Sequence, residues 1–167
     1  PQTYTATELS GRARCRTELV ASCRIETPVA GMPLFGVIGR MAAQKGADLL
    51  QEALPDLLER GASVIVLGAG DESVQRAWLA LAAKYPRRLA VRVGYDNSLA
   101  HRIEAGSDFF LMPSRFEPCG LNQMYSLLYG AVPVVHGVGG LRDTVKDFRH
   151  SDGNGVVFGR ATTEALR

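Results

Sequence analysis

The sequence predicts an α/β domain in which helices cover both faces of a doubly wound parallel sheet. Three observations support this fold class. Five short apolar runs alternate with helical patterns along the chain. The runs are apolar throughout, as in strands that are buried on both faces. The connections are short, which favours parallel strands joined by helical crossovers.

The amino-terminal third predicts two helices and one strand. Apolar residues recur at roughly helical spacing over residues 7–22, between arginines and glutamates, and predict an amphipathic helix. The proline-bounded segment 28–33 breaks this pattern, and the apolar run 34–39 predicts the first strand. A leucine-rich helical stripe over 48–60 ends at Gly61, a residue type that commonly terminates helices.

The middle of the chain repeats the alternation. Residues 63–67 predict a second buried strand. Residues 73–84 predict a helix, residues 89–93 a strand and residues 98–105 a short helix. The ligand of such a sheet is expected at the carboxyl ends of its strands.

The remaining segments complete the predicted sheet. Residues 109–112 predict a strand, residues 121–128 a helix and residues 132–135 the fifth strand. From residue 145 to residue 167 the sequence is polar and rich in glycine, which predicts a long loop, partly disordered in isolation.

Composition restricts the classes of function. The 167 residues are enough for one core, so a single domain spanning 1–167 is predicted. The net charge is +2, from 19 basic and 17 acidic residues, which argues against a nucleic-acid or membrane surface. No apolar run approaches the roughly 18 residues of a membrane span, and we expect a soluble chain. Both ends of the sequence look like cuts in a longer protein.

The cysteine pattern excludes two further classes. Cys15, Cys23 and Cys119 form an odd set without a CxxC pair, so neither a disulfide framework nor a metal site is predicted. A reducing, cytosolic setting fits this usage best.

The loop after the first strand is the first candidate site. It carries Arg40 and Lys45 beside Gly39 and Gly46, ahead of a helix amino terminus. Backbone N–H groups, the helix dipole and two cations together favour a phosphate. A solvated basic loop explains the same spacing.

Two further loops end strands with glycine. Gly68 and Gly70 resemble part of a dinucleotide fingerprint that lacks its third glycine, so a plain turn is the better interpretation. In the next loop, Tyr95 beside Gly94 has a ring suited to stacking on a base, although a surface tyrosine is the simpler interpretation.

The loop after the fourth strand contains the densest group of candidate site residues. Two prolines and a glycine restrict the backbone around Glu117, which suits a carboxylate that accepts from a ligand hydroxyl. Glu117 could equally cap the helix that follows. Cys119 is interpreted as a small buried packing residue rather than a reactive thiol.

The loop after the fifth strand is a second candidate phosphate cradle. It joins Gly139 and Gly140 to a helix amino terminus with Thr144 in the helix. His136 precedes it, and a structural histidine is favoured over a catalytic base because the sequence shows no group to orient it.

Several strings together resemble a known family from about Tyr4 to Phe158. They are GRMAAQKGADLL, VLGAGD, GYDNSLAHRIEAGSDFFLMPSRFEPCGLNQMYSLLYGAVPVV and GGLRDTV. The sequence is similar to the carboxy-terminal domain of bacterial glycogen synthases and plant starch synthases, retaining glycosyltransferases of the GT-B architecture. PSRFEPCGL and the R-x4-KG spacing are the most specific parts of the resemblance.

The resemblance implies a function and a set of site residues. The family transfers glucose from ADP-glucose to the non-reducing end of an α-1,4-glucan with retention. Arg40 and Lys45 match the basic pair on the donor diphosphate, Glu117 the carboxylate near the donor glucose, and Tyr95 the ring on adenine. The other matching donor-loop residues are Gly94, Cys119, Gly120, Leu121, Gly139, Gly140, Leu141 and, more weakly, Thr144.

The sequence also departs from the wider family pattern. Tyr125 stands where many retaining GT-B enzymes have a second glutamate, as it does in glycogen synthases, and Asn122 stands where threonine is more usual. Arg12 is compatible with the basic residue of the family's entry helix. The family's KTGGL loop and active-site histidine belong to an amino-terminal domain that these residues do not contain. The chain is therefore expected to bind nucleotide without transferring glucose.

The implied partners are a nucleotide sugar and a glucan, with no cofactor, metal, nucleic acid or membrane. The implied compartment is the bacterial cytoplasm, or the plastid for a plant protein. UDP-glucose as the donor and a non-catalytic nucleotide-binding or regulatory module are the alternatives; a phosphorylase would need a pyridoxal-phosphate lysine that no motif supplies.

Overall fold

The computed structural model describes residues 2–166 as one six-stranded sheet with helices on both faces. The strands are β1 (Leu34–Ile38), β2 (Ser63–Gly68), β3 (Leu89–Val93), β4 (Phe109–Met112), β5 (Val132–His136) and β6 (Val156–Phe158). The helices are α1 (Ser10–Ser22), α2 (Ala47–Glu59), α3 (Glu72–Lys84), α4 (Asn97–Gly106), α5 (Asn122–Leu128), α6 (Gly139–Thr144) and α7 (Thr163–Leu166), with a 3-10 turn at Ala43–Lys45.

The strand order is β3-β2-β1-β4-β5-β6, and every neighbouring pair is parallel. The order reverses between β1 and β4, because the chain builds outward from β1 in one direction and then returns to its other side. A crevice for a ligand forms at such a switch point, outside the carboxyl ends of the strands. The predicted fold class is confirmed.

Each face of the sheet buries its own hydrophobic cluster. On one face, Leu19 of α1 and Ile103 of α4 pack on Phe110, all fully buried. On the other, Leu54 of α2 and Trp78 of α3 cover the inner strands. Fully burying one such side chain contributes about 1.5–3 kcal/mol, so the apolar runs that predict strands also provide much of the stability.

The prediction of a long loop holds for most of residues 145–166 and is wrong at β6. The segment contains β6, which pairs with β5, and α7, which packs on α2; Arg167 lies outside the described residues. The Asp147 carboxylate holds the turn, because it accepts from the backbone N–H of Val157 at 2.9 Å and from Arg149. These hydrogen bonds lower the pKa of Asp147, and the one from the Arg149 side chain has the largest effect.

The other predicted elements differ from the structure mainly at their ends. The first helix begins at Ser10 rather than at residue 7, and the helix predicted from residue 121 begins at Asn122. Hydrophobic periodicity locates an element better than it locates its first turn, which depends on local capping.

Candidate functional site

The carboxyl ends of the central strands open onto two adjoining cavities. The first, of about 290 Å³, is lined by Arg40 and Lys45 from the β1 loop and by Glu117 from the β4 loop. The second, of about 380 Å³, is lined by Gly94 and Tyr95 after β3. Arg40 lines both cavities, so the two form adjacent halves of one crevice at the switch point.

Close backbone contacts shape the loop between β1 and α2. Gly46 has φ of 70°, and a β-carbon there would lie 2.2 Å from the carbonyl oxygen of Pro113 in the β4 loop. A left-handed residue pressed against backbone has to be glycine. This contact brings Lys45, the preceding residue, beside the loop that carries Glu117.

Lys45 and Glu117 form an ion pair at the bottom of the crevice. The Lys45 ammonium lies 2.5 Å from Oε2 of Glu117, and the same oxygen accepts from the Ser114 hydroxyl at 3.1 Å. Glu117 is buried, whereas Lys45 is partly exposed toward the crevice. The carboxylate does not cap α5, which has no side-chain cap. The crevice thus holds a fixed carboxylate and two cations.

A second ion pair locks the two loops together. Arg115 makes a two-pronged contact with Asp48, with nitrogen–oxygen distances of 2.6 and 2.7 Å, and donates to the carbonyl of Ala43. The Arg115 hydrogen bonds lower the pKa of Asp48. Asp48 lies in the first turn of α2 and already complements the positive end of that helix. Sequence analysis missed this pair, because 67 residues separate its members.

Asn122 ties α5 to the crevice. Its side-chain amide donates to the carbonyl oxygen of Ile38, the last residue of β1, at 2.9 Å. Tyr125, one turn further along α5, lines the cavity that contains Tyr95. The two departures from the wider family pattern therefore both lie at this crevice.

Tyr95 is the most exposed large aromatic residue of the described chain. Its side chain is 95% accessible, and Gly94 before it has φ of 130°. An exposed ring at the rim of a cavity is free to stack on a planar ligand.

Comparison with known proteins assigns the family. Residues 32–167 match the model of the family described as "Glycosyl transferases group 1". The chain belongs to the group 1 glycosyltransferases. Its predicted resemblance to glycogen and starch synthases is confirmed by proteins named glycogen synthase from Anaeromyxobacter dehalogenans (strain 2CP-C), 52% identical over 99% of this chain, and from Myxococcus xanthus (strain DK1622), 50% identical over 95%.

The chain spans 35% and 32% of the length of these two relatives. The catalytic domain of starch synthase IV from Arabidopsis thaliana, in a structure bound to ADP and acarbose, superimposes with a TM-score of 0.91. It is 30% identical, with 98% of this chain and 35% of that chain covered. Anabaena HepE in complex with UDP-glucose is 18% identical, with a TM-score of 0.70 over 94% of this chain and 41% of that chain, and shares the fold.

In this glycosyltransferase, the turn after β5 packs beneath the Glu117 loop. The backbone N–H of Gly140 donates to the Glu117 carbonyl at 3.0 Å, and that of Leu141 donates to Val138. A β-carbon on Gly139 would lie 2.1 Å from the same Glu117 oxygen. The Leu141 side chain is fully buried in the core. Several groups of the predicted phosphate cradle are therefore engaged within the protein.

A buried glutamine connects the same elements. Gln123 is fully buried, and its amide nitrogen donates to Cys119, Gly120 and the Thr144 hydroxyl at 3.0–3.2 Å. The Thr144 hydroxyl in turn donates to Gly140 at 2.6 Å. Thr144 thus closes an internal chain of hydrogen bonds that holds the Glu117 loop on α6. Gln123 was missed because a lone glutamine in a helical pattern carries no motif.

The loop that carries Glu117 is exposed at one position that was expected to be buried. Gly120 and Leu121 line the crevice, whereas the Cys119 side chain faces solvent. The prediction that Cys119 is a small buried packing residue is wrong. Its backbone makes the tight contact instead, since a β-carbon on Gly140 would lie 2.0 Å from the Cys119 carbonyl oxygen.

His136 has a structural partner that sequence analysis did not find. Its Nδ1 lies 2.8 Å from the carbonyl oxygen of Ser114, which can only accept, so Nδ1 carries the proton. The ring also stacks on Phe158 at a centroid distance of 5.7 Å. These contacts fit the structural role favoured from the sequence.

Glu104 is a buried carboxyl group at the cavity that contains Tyr95. The residue is 3% exposed, and Nδ1 of His101 lies 3.8 Å from its Oε2. Desolvation raises the pKa of Glu104 to about 7 from the ordinary 4.5. Between these two values the folded chain retains a proton that the unfolded chain has lost, so stability falls as pH rises through this window.

Replacing Glu104 with glutamine is expected to remove this pH dependence. Glu104→Gln should be about 3 kcal/mol more stable than the wild type at pH 8 and close to it at pH 4.5, because the pKa rises from 4.5 to about 7 and each pKa unit is worth roughly 1.4 kcal/mol. Urea unfolding at both pH values measures the difference. Glu72→Gln, at an exposed glutamate, is the matched control. An unchanged slope between pH 4.5 and 8 in Glu104→Gln would contradict the assignment.

Neither a metal cluster nor a membrane-spanning helix is found in residues 2–166. No group of three or more histidine, cysteine, aspartate or glutamate side chains there is arranged to hold a metal ion. No helix in the same range has the length and apolar character that crossing a bilayer requires.

Proposed function

We propose that this chain is the donor-binding domain of a glycogen synthase. The whole enzyme would transfer glucose from ADP-glucose to the non-reducing end of an α-1,4-glucan with retention. The observation that carries the proposal is the convergence of Arg40, Lys45 and Glu117 in one crevice at the switch point of the sheet. The relatives named glycogen synthase support it, as does the ADP complex of the starch synthase.

The crevice suits the departure of a nucleoside diphosphate. When the bond between the anomeric carbon and the β-phosphate oxygen breaks, negative charge grows on the diphosphate. Arg40 and Lys45 would stabilise that charge from fixed positions. Glu117, oriented by Lys45 and Ser114, would lie near the glucose. Tyr95 would stack on the base at the rim of the second cavity.

The remaining matched residues would act mainly through the shape of the donor loop. Gly120 and Leu121 line the crevice directly, whereas Gly139, Gly140 and Thr144 hold the loop from below. The proposal includes no cofactor beyond the nucleotide sugar. Because the chain spans 35% of its relatives' length, we propose that it binds nucleotide but needs the rest of the enzyme for transfer.

Calorimetric titration with ADP and, separately, UDP tests the proposal. ADP is expected to bind more tightly than UDP, because a larger purine ring gains more from stacking on Tyr95. Tyr95→Ala should reduce this preference for ADP and leave the contribution of the diphosphate to the binding affinity unchanged. Tighter binding of UDP would reassign the donor. Absence of binding to either nucleotide would contradict a donor site within this chain and favour a non-catalytic module.

A further inference from the structure

A basic groove lies near the donor crevice, beyond Asp96. It has a volume of about 450 Å³ and is lined by Arg24, Arg92 and Arg102. Asp96 also lines the cavity that contains Tyr95 and is the residue shared by the two linings. None of the three arginines lines either cavity of the crevice, so the groove is a separate site from the one proposed for the nucleotide.

Three different elements bring the arginines together. Arg24 follows α1 in a left-handed conformation, with φ of 56°, where the backbone N–H of Ile25 closes the helix end onto Val20. Arg92 lies on the edge strand β3, on the sheet face that α1 and α4 cover. Arg102 projects from α4.

The three guanidinium groups lack protein partners within residues 2–166. None forms an ion pair or donates a side-chain hydrogen bond there, unlike Arg115 and Arg149, which bind aspartates. The carboxylate in the groove lining is Asp96, and its Oδ1 already accepts the N–H of Leu99 at 2.8 Å. Three cations thus face one carboxylate that is engaged in capping α4.

Two features show that the three arginines line one groove that is partly shielded from water. Nε of Arg102 is buried without an acceptor, which ordinarily costs about 1–3 kcal/mol. Burial raises the pKa of the Cys23 thiol in the same lining, while the charges of Arg102 and Arg92 act to lower it. A solvated basic surface explains exposed arginines, but it leaves the buried Nε without a partner.

We propose that this groove binds a small phosphate-bearing anion. A guanidinium group presents its donors in a planar fork that matches two phosphate oxygens, and three forks suit a phosphoryl group or a diphosphate. The net charge of +2 does not favour a nucleic acid as the ligand, and the groove of about 450 Å³ suits a small molecule.

Titration of the ¹⁵N-labelled chain with inorganic pyrophosphate at constant ionic strength tests the site. Saturable chemical-shift changes are expected at the amides of Cys23, Arg92 and Arg102 and at the Arg102 Nε–H. Arg24→Gln and Arg92→Gln, both at exposed positions, should each weaken this binding by about tenfold. Arg160→Gln, an equal change of charge at an exposed residue outside the groove lining, is the control.

The outcomes distinguish the site from general charge effects and from the donor crevice. Shifts that grow linearly without saturation, or equal affinities for Arg92→Gln and Arg160→Gln, would overturn the proposal. The titration is repeated with saturating ADP. Unchanged groove affinity would identify free phosphate compounds as the ligands, and competition at the groove residues would identify the phosphates of a nucleotide. Because the readout lies at the groove, it does not depend on whether the donor assignment holds.

Discussion

Replacing Gly140 with alanine is expected to lower the free energy of unfolding by about 3 kcal/mol. The new β-carbon would lie 2.0 Å from the carbonyl oxygen of Cys119, and it would meet backbone rather than a side chain that can rotate away. The backbone N–H of Gly140 also donates to the Glu117 carbonyl at 3.0 Å. Overpacking ordinarily costs about 1–3 kcal/mol, and a contact this short with backbone belongs at the upper end. The Glu117 loop must move, so the crevice should be disturbed as well.

Urea unfolding of Gly140→Ala and of a matched glycine variant measures this cost. Gly159→Ala is the control, because a β-carbon there meets no heavy atom within 4 Å and no left-handed φ is required. The free energy of unfolding of Gly159→Ala should equal that of the wild type or exceed it by up to about 1 kcal/mol, because alanine makes the unfolded chain less flexible. Equal unfolding midpoints for the two variants would show that the Glu117 loop is not held against α6 as described.

The arrangement of the sheet could be predicted because its strands are buried on both faces. Residues 63–67 are apolar throughout, and β2 is buried along its whole length. The β6 strand was missed, because it lies in a glycine-rich segment that the Asp147 carboxylate holds through backbone N–H groups. A carboxylate that holds a turn through tertiary contacts leaves no hydrophobic period in the sequence.

Site residues could be predicted individually, but their mutual contacts could not. Strand ends and glycine-containing loops place Arg40, Lys45 and Glu117 at one edge of the sheet. The 2.5 Å contact between Lys45 and Glu117 depends on how two loops meet, and 72 residues separate the pair. The exposed side chain of Cys119 follows from the same packing, because its backbone occupies the space against Gly140.

Lys45→Met is expected to weaken ADP binding by about 100-fold. The substitution removes a cation from the proposed diphosphate site, at a cost of about 1–3 kcal/mol. It also leaves the buried carboxylate of Glu117 without its cation, facing an incoming anion of like charge. Methionine retains an apolar stem of similar length, so the loss reports on charge more than on packing. Calorimetric titration with ADP measures it.

The double variant Lys45→Met/Glu117→Gln separates the two contributions. Glu117→Gln alone frees Lys45 for the diphosphate and should bind ADP as tightly as the wild type or more tightly. In the double variant the like-charge repulsion is absent, so its affinity should exceed that of Lys45→Met by about tenfold, a coupling expected for residues in direct contact.

Lys146→Met provides the matched control for this cycle, because Lys146 also pairs with a carboxylate, Asp152, but outside the crevice linings. It should leave ADP affinity unchanged. If Lys45→Met and the double variant bound ADP equally, Glu117 would not oppose the diphosphate, and the two charges would act independently. A recovery in the double variant would show that the Glu117 carboxylate repels the diphosphate once its cation is gone, whereas tighter binding by Glu117→Gln alone would show that the diphosphate competes with Glu117 for the Lys45 ammonium group.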